Sequence, residues 1–174
     1  GARPVGTTFT VRDLFYNVPA RLKFLKKDVT EGNAVAGVID KIALSHPQIA
    51  FQFIRDGRSE FRTAGDGRLL SAIYAVMGRE VASSLIEVRY TVGDIQVDGY
   101  VSKPIFCRSN RNHQVFFVNG RFVRTKTAMV ALEEAYRGSV MTGKFPVCVL
   151  RIALRTDAVD VNVHPAKIEI RFSD

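Results

Sequence analysis

The chain has 174 residues, 47% of them apolar and 24% charged, with 25 Lys and Arg against 17 Asp and Glu for a net charge of +8. This is the composition of a folded chain large enough for one ordinary domain, or for one domain and part of another, and it excludes a disordered tail. No apolar run reaches the ~20 residues of a membrane-spanning helix, and Arg3, Arg12 and Asp13 interrupt any signal-peptide core near the start.

The excess of cations suits a polyanionic partner. Cys107 and Cys148 are the two cysteines. They are far apart and flanked by apolar residues, so they read as buried free thiols and point to a cytoplasmic protein. The chain opens on Gly1 without an initiating methionine and runs straight into strand-like sequence, as expected of a piece of a longer polypeptide.

In chain order, residues 7–11 are β-branched and aromatic and predict a strand. Residues 20–27 predict a short basic helix with Pro19 in its first turn, bearing Arg21, Lys23, Lys26 and Lys27. That charge run is either a solvated face or a phosphate contact. Thr30 is placed to cap a helix running to Ser45, with Val35, Val38, Ile39 and Ile42 as its apolar stripe. His46 ends that helix. Residues 49–55 and 59–63 predict a hairpin about Asp56-Gly57. Residues 64–67, Ala-Gly-Asp-Gly, are the best internal boundary.

Beyond that boundary Leu69, Leu70, Ile73 and Val76 form a second helical stripe that stops at Gly78. Residues 85–92 and 95–102 predict strands paired about Gly93-Asp94. Between Lys103 and Lys126 the sequence carries six cations (Lys103, Arg108, Arg111, Arg121, Arg124, Lys126) and no Asp or Glu. Residues 115–118 and 121–123 predict a hairpin about Asn119-Gly120, and residues 126–137 a helix with Met129, Leu132 and Tyr136 inward. A positive hairpin rim beside a helix N-terminus is a plausible seat for a sugar-phosphate backbone, set against a merely basic surface. Residues 138–145 nearly match a phosphate-binding P-loop. Phe145 stands where the metal-binding hydroxyl is required, and the segment follows a helix where the motif must follow a strand.

A buried strand is predicted at residues 147–154. Near the end, Val159, Val161 and Val163 alternate with polar residues, Pro165 stops the ladder, and Ile168, Ile170 and Phe172 resume it. Lys167 therefore lies at or just after a turn, either as a solvated lysine or as a cation reaching an anion. No catalytic triad, metal-binding HExxH or cysteine pair is present, and the three histidines are dispersed in sequence.

Longer blocks carry more than periodicity. Residues 6–21, GTTFTVRDLFYNVPAR, followed by Lys23-Phe24-Leu25, resemble the MutL family of DNA mismatch repair proteins. So do Ser109-Asn110-Arg111, residues 117–121 (FVNGR) and residues 160–167 (DVNVHPAK). The resemblance implies an α+β fold in two parts. Residues 1–63 would be the C-terminal portion of a GHKL-class ATPase domain, a mixed α/β sandwich. Residues 64–174 would be a ribosomal-protein-like transducer domain with a left-handed β-α-β crossover, an exception to the usual handedness.

Under the same resemblance Thr7 belongs to the last nucleotide-site motif, and Lys167 reaches the γ-phosphate of ATP across the domain interface. Lys126, with Arg124 and Arg121 adjacent and Arg111 nearby, would contact DNA non-specifically. Further implied are ATP and Mg as cofactors of the longer parent, an ATP-driven homodimer, the mismatch recognition protein MutS as a partner, and a location at the bacterial nucleoid without membrane attachment. The departure from the family is that the first GHKL motif, the adenine-reading Asp-x-Gly-x-Gly and the glycine-rich lid are not in this sequence. The fragment alone is therefore expected neither to hydrolyse ATP nor to bind it tightly, while the parent is an ATPase. The alternative is a free-standing basic α+β module that binds RNA.

Overall fold

The structure is a computed structural model. It describes residues 5–155, together with residues 159–160 and 171–172 as paired backbone. It divides into two compact units, Gly1–Ala36 and Gly37–Asp174.

In the first unit residues 7–11 form no ladder, and Thr7, Phe9 and Val11 are exposed. The predicted strand is thus not formed among the described residues, because β-branched residues realise their preference only against a pairing partner. Two turns follow, closed by Tyr16 N–H to the Asp13 carbonyl and Val18 N–H to the Phe15 carbonyl, each at 2.9 Å. Helix α1 covers Pro19–Leu22, with the proline in its first turn as predicted, and stops short of Lys27. Beyond Leu22 the cations Lys23, Lys26 and Lys27 crowd together, and like charges at helical spacing oppose extension.

Helix α2 (Asp28–Ser45) starts two residues before Thr30, which therefore lies inside the first turn and is not the cap. The Lys27 carbonyl accepts from Thr30 and Glu31 N–H at 2.7 and 3.1 Å, and the Glu31 carboxylate accepts the Lys26 N–H at 2.8 Å. Glu31 thereby ties the first turn back to the residue ahead of Lys27, and its charge complements the positive helix start.

In the second unit the C-terminal half of α2 buries Ala43 and Leu44. Val35, Val38 and Ile42 stay exposed among the described residues, so three of the four predicted stripe positions lie off the buried face. Apolar residues occur on more than one side of this helix, and periodicity alone does not choose which side meets a sheet.

Strands β1 (Gln52–Arg55) and β2 (Arg58–Arg62) form the predicted hairpin, and Asp56 and Gly57 both take positive φ (50° and 74°). That is the backbone of a two-residue type I′ turn. Helix α3 (Leu69–Met77) ends at Gly78, φ 89°, and a short α4 (Arg79–Ser83) follows that the sequence did not signal. Strands β3 (Leu85–Val92) and β4 (Ile95–Ser102) pair as predicted, in register from Leu85 opposite Ser102 to Val92 opposite Ile95.

The remaining elements are β5 (Cys107–Arg108), β6 (Gln114–Val118), β7 (Arg121–Val123), α5 (Lys126–Ala135), β8 (Phe145–Pro146) and β9 (Cys148–Ala153). Two further strands, β10 (Val159–Asp160) and β11 (Arg171–Phe172), pair antiparallel. The main sheet runs β3-β4-β9-β6-β7, antiparallel except for the parallel pair β6–β9. Helix α5 lies in the connection between those two parallel strands, which makes a β-α-β unit inside a mixed α+β fold.

Both faces of the sheet are covered, and β6 shows why its sequence is apolar without alternation. Val115 and Phe117 pack with Leu44, Leu69, Ile73 and Val81, on the side of α3 and α4. Phe116 and Val118 pack with Val123 and Leu132, on the side of α5. Strand β9 divides likewise, with Val149 on the first side and Cys148 and Leu150 on the second. A strand buried on two faces takes apolar residues at successive positions, as residues 115–118 do, and each such side chain contributes about 2 kcal/mol by leaving water.

Candidate nucleic-acid interface

The basic segment begins at the β6–β7 hairpin. Asn119 and Gly120 take φ of 47° and 80°, the turn their identities demand. Asn119 also clasps the end of β9. Its backbone N–H donates to the Ile152 carbonyl at 2.9 Å, its side-chain amide donates to the Leu154 carbonyl at 3.0 Å, and its amide oxygen accepts the Leu154 N–H at 3.1 Å. The hairpin tip is thereby fixed to the central strand of the sheet.

This clasp sets the start of β7. Arg121 opens the strand opposite Val118 and is exposed. Arg124 leaves it, also exposed, while Val123 and Thr125 on either side are buried. Thr125 stands at the N-cap of α5 without a side-chain capping bond, and Lys126 is the first helical residue. No acidic residue occupies the first turn. A cation there opposes the helix dipole, and the uncapped N–H groups attract anions, so this end is electrostatically incomplete without a negative partner. Arg121, Arg124 and Lys126 make no ion pair among the described residues.

Arg111 stands differently. Its guanidinium grips Glu133 on α5 with two bonds, Nε to Oε1 at 2.6 Å and a second nitrogen to Oε2 at 2.9 Å, and lies 4.1 Å from the centre of the Phe145 ring. The Gln114 amide adds a bond to Glu133 Oε1 at 3.3 Å. These donors hold the Glu133 carboxyl below the ordinary glutamate value. Arg111 is thus an internal partner of the helix as well as a member of the basic edge.

Arg111 and Arg124 line one groove of about 410 Å³, and a residue the sequence reading did not select, Lys41 of α2, lines it with them. The Lys41 ammonium donates to the Gly37 carbonyl at 2.7 Å and lies 4.9 Å from the centre of the Phe122 ring. Burial, and next the charge of Arg124, lower its pKa from the usual lysine value. A signal was present, since Lys41 follows Val38 by three residues and so borders the apolar stripe, but the sequence could not show which strand it would face. Arg121 and Lys126 do not line this groove.

Thr7 is exposed in the first unit. Lys167 lies outside the described residues. Among the described residues no three His, Cys, Asp or Glu side chains gather where they could hold a metal. No helix among them is long and apolar enough to cross a membrane. Both cysteines are free thiols; Cys148 is buried as the sequence suggested, whereas Cys107 is only half-buried.

The family described as DNA mismatch repair protein, C-terminal domain, matches residues 73–174. The DNA mismatch repair protein MutL of Agathobacter rectalis is 45% identical over 171 residues, which is 98% of this chain and 26% of that protein. Among solved structures, the N-terminal domain of a DNA repair protein superposes with a TM-score of 0.74 at 26% identity, covering 91% of this chain and 53% of that one. The ATPase domain of Aquifex aeolicus MutL, complexed with ADP, superposes with a TM-score of 0.63 at 27% identity, covering 83% of this chain and 51% of that one. The chain therefore spans about a quarter of the curated relative and about half of each solved domain.

Proposed function

Since the chain belongs to the MutL family of DNA mismatch repair proteins, we propose that it serves a mismatch repair ATPase as the part that links nucleotide state to dimerisation and to non-specific DNA binding. The observation that carries the DNA-binding half is the junction of β7 and α5. Arg121, Arg124 and Lys126 fall within six residues there, without an acidic partner among the described residues, at a helix start that no side chain caps. Backbone phosphates supply the missing charge in any sequence context. The alternative of a free-standing RNA-binding module loses its ground to the family membership.

The coupling half rests on residues 1–63 as the end of an ATPase domain and 64–174 as a transducer. The family match from residue 73 onward and the glycine-rich boundary at 64–67 support that division. Lys167 would report the γ-phosphate: a cation that touches only the triphosphate state shifts the domain arrangement by its differential affinity. Thr7 would border the adenine. ATP and magnesium would be held chiefly by other residues of the intact protein, because the first GHKL motif, the adenine-reading Asp-x-Gly-x-Gly and the glycine-rich lid are not in this sequence. On this reading dimerisation follows nucleotide binding, MutS is a partner, and the protein works at the bacterial nucleoid in the cytoplasm.

The test is DNA affinity of the intact protein against salt concentration, measured by fluorescence anisotropy for wild type and Lys126→Glu. Losing a phosphate contact should weaken binding to all sequences alike and lower the log–log salt slope by about 1. An unchanged affinity and slope in Lys126→Glu and in Arg124→Glu would remove this edge from DNA binding.

A further inference from the structure

Strand β3 is an outer strand of the main sheet, and its far side pairs with no other strand among the described residues. Such edges are ordinarily blunted by brevity, a bulge, a proline or a run of like charge. The strand at the opposite end, β7, is three residues long. In contrast β3 has eight residues, LIEVRYTV, without proline or glycine, and its register against β4 runs from Leu85 to Val92 without a bulge. Ile86, Tyr90 and Val92 on one of its faces are exposed. Its two charges, Glu87 and Arg89, are also exposed and are of opposite sign.

Backbone direction and charge together select the strand that fits this edge. The Lys103 N–H donates to the Ser84 carbonyl at 2.9 Å, one step beyond the pair Leu85–Ser102. Counting on from Ser84, the even-numbered residues of β3 turn their N–H and C=O groups toward β4. Leu85, Glu87, Arg89 and Thr91 turn theirs outward. When two copies of β3 meet antiparallel, outward-turned residues must face each other. Registers centred on residues 87, 88 and 89 satisfy this. The first sets Glu87 against Glu87 on the two-fold axis and the last sets Arg89 against Arg89, both unfavourable. Centring on Val88 sets Glu87 against Arg89 of the second copy, Ile86 against Tyr90 and Leu85 against Thr91. Opposite charges and an aromatic–aliphatic pair placed directly across stabilise an antiparallel ladder, and the two-fold axis makes each of them occur twice.

We propose that two copies of this chain join edge to edge through β3, antiparallel about Val88, so that two five-stranded sheets become one. Glu87 and Arg89 lie 3.7 Å apart within one chain, and both are well exposed. An ion pair so exposed contributes little, so exchanging it for two pairs across the axis forfeits almost nothing. On the other face Ile86 and Tyr90 leave water against their counterparts. This pairing goes beyond the function proposed above and does not depend on it. No nucleotide takes part, so the copies join through β3 in the absence of ATP.

The experiment is disulfide cross-linking of the intact protein without nucleotide, in a Cys107→Ser background that removes the half-buried thiol. Facing residues of the Val88 type have Cα atoms about 4.5 Å apart, within disulfide reach, whereas the two copies of residue 89 would lie roughly 9 Å apart, beyond it. Val88→Cys should therefore yield a linked dimer under mild oxidation, about tenfold faster than Arg89→Cys. Adding Glu87→Arg or Arg89→Glu to Val88→Cys sets like charges across the axis and should slow linking about tenfold in each case. Mixing those two proteins restores opposite charges at both positions and should restore the rate. Val88 also packs against the α5 side of the sheet. If Val88→Cys lowers the thermal midpoint, Ile86→Cys mixed with Tyr90→Cys tests the same register at exposed positions. Equal linking at residues 88 and 89, no linking at all, or no recovery on mixing overturns the proposal. A Cys at position 88 that neither links nor reacts with a maleimide also overturns it, and assigns the edge to another segment of the intact protein.

Discussion

Arg111 holds Glu133 across a separation of 22 residues in sequence, joining the loop before β6 to helix α5 by two parallel hydrogen bonds. The fork of a guanidinium matches the two oxygens of a carboxylate, so the contact fixes orientation as well as distance. The same arginine was selected from the sequence as a DNA contact, and the pair changes what its removal should do. Arg111→Ala should reduce DNA affinity less than Arg124→Ala, because the Arg111 charge is already engaged. It should also lower the thermal midpoint, which Arg124→Ala should not. Paired anisotropy and thermal melts of the two variants check this, and an equal loss of affinity would restore Arg111 to the front rank.

Two windows of pH dependence follow from groups that sit close together in sequence and structure. His113 has its pKa pushed below 6.5 by burial and secondarily by Arg108. The unfolded chain therefore takes up that proton first, and stability should fall as pH drops through about 6.5. Glu133 is depressed below 4.5 by its bond with Arg111. Its contribution is present above that value and is lost as pH falls through its folded pKa. Denaturant melts between about pH 7 and pH 5.5 should show the first loss, and His113→Gln should flatten it without altering the second.

Gly99 sits in β4 with φ of 136°, and a Cβ there would lie 2.2 Å from the Val149 carbonyl oxygen of the neighbouring strand. Neither the backbone angle nor the space admits a side chain. Gly99→Ala should destabilise the protein by about 2 kcal/mol or more, read as a lower midpoint in urea. A midpoint within error of wild type would show that β4 and β9 can separate locally at no cost.

Ser102 is fully buried where β4 meets the segment before β9, and its hydroxyl oxygen accepts the Val147 N–H at 3.0 Å. Its carbonyl also takes the Tyr136 hydroxyl from the end of α5. Ser102→Ala removes the first bond and leaves a buried N–H without that partner, at a cost of about 1–3 kcal/mol. Tyr136→Phe removes the second bond with little change of volume and should cost less.

Burial pushes the Cys148 thiol up to about 12, with no access from solvent. Cys107 is half-buried, and burial pushes its thiol up as well, offset in part by the charge of Lys144. Alkylation of the native protein followed by intact mass measurement should add one group, at Cys107, which solvent reaches. The second should appear only on unfolding, since the thiolate is the reacting species. Simultaneous labelling of both would mean that β9 opens on the experimental timescale.

The coupling proposal is checked on the intact protein by ATP turnover with and without DNA, for wild type and Lys167→Ala. Turnover should fall several-fold while the thermal midpoint holds. Unchanged turnover would return Lys167 to the role of a solvated lysine.

Elements whose chemistry is local could be read from the residues alone. Asn119-Gly120 and Asp56-Gly57 have side chains and backbones that reach positive φ cheaply, so their hairpins were legible to the residue. The start of α5 at Lys126 was equally plain, as was the cluster of cations around it. Family membership was legible as well, because long blocks such as residues 160–167 are read letter by letter and need no fold.

Which side of an element is buried, and which charges meet, depended on packing between distant segments. The apolar stripe on α2 was correctly periodic and still left Val35, Val38 and Ile42 exposed, since periodicity gives a face and not its partner. The strand predicted for residues 7–11 found no ladder among the described residues, because pairing is a property of two segments. Lys41 entered the groove with Arg124 from 83 residues away by virtue of packing against Phe122, and Arg111 was claimed by Glu133. Electrostatic attraction depends on distances of a few ångströms, which the fold sets and the order of residues does not.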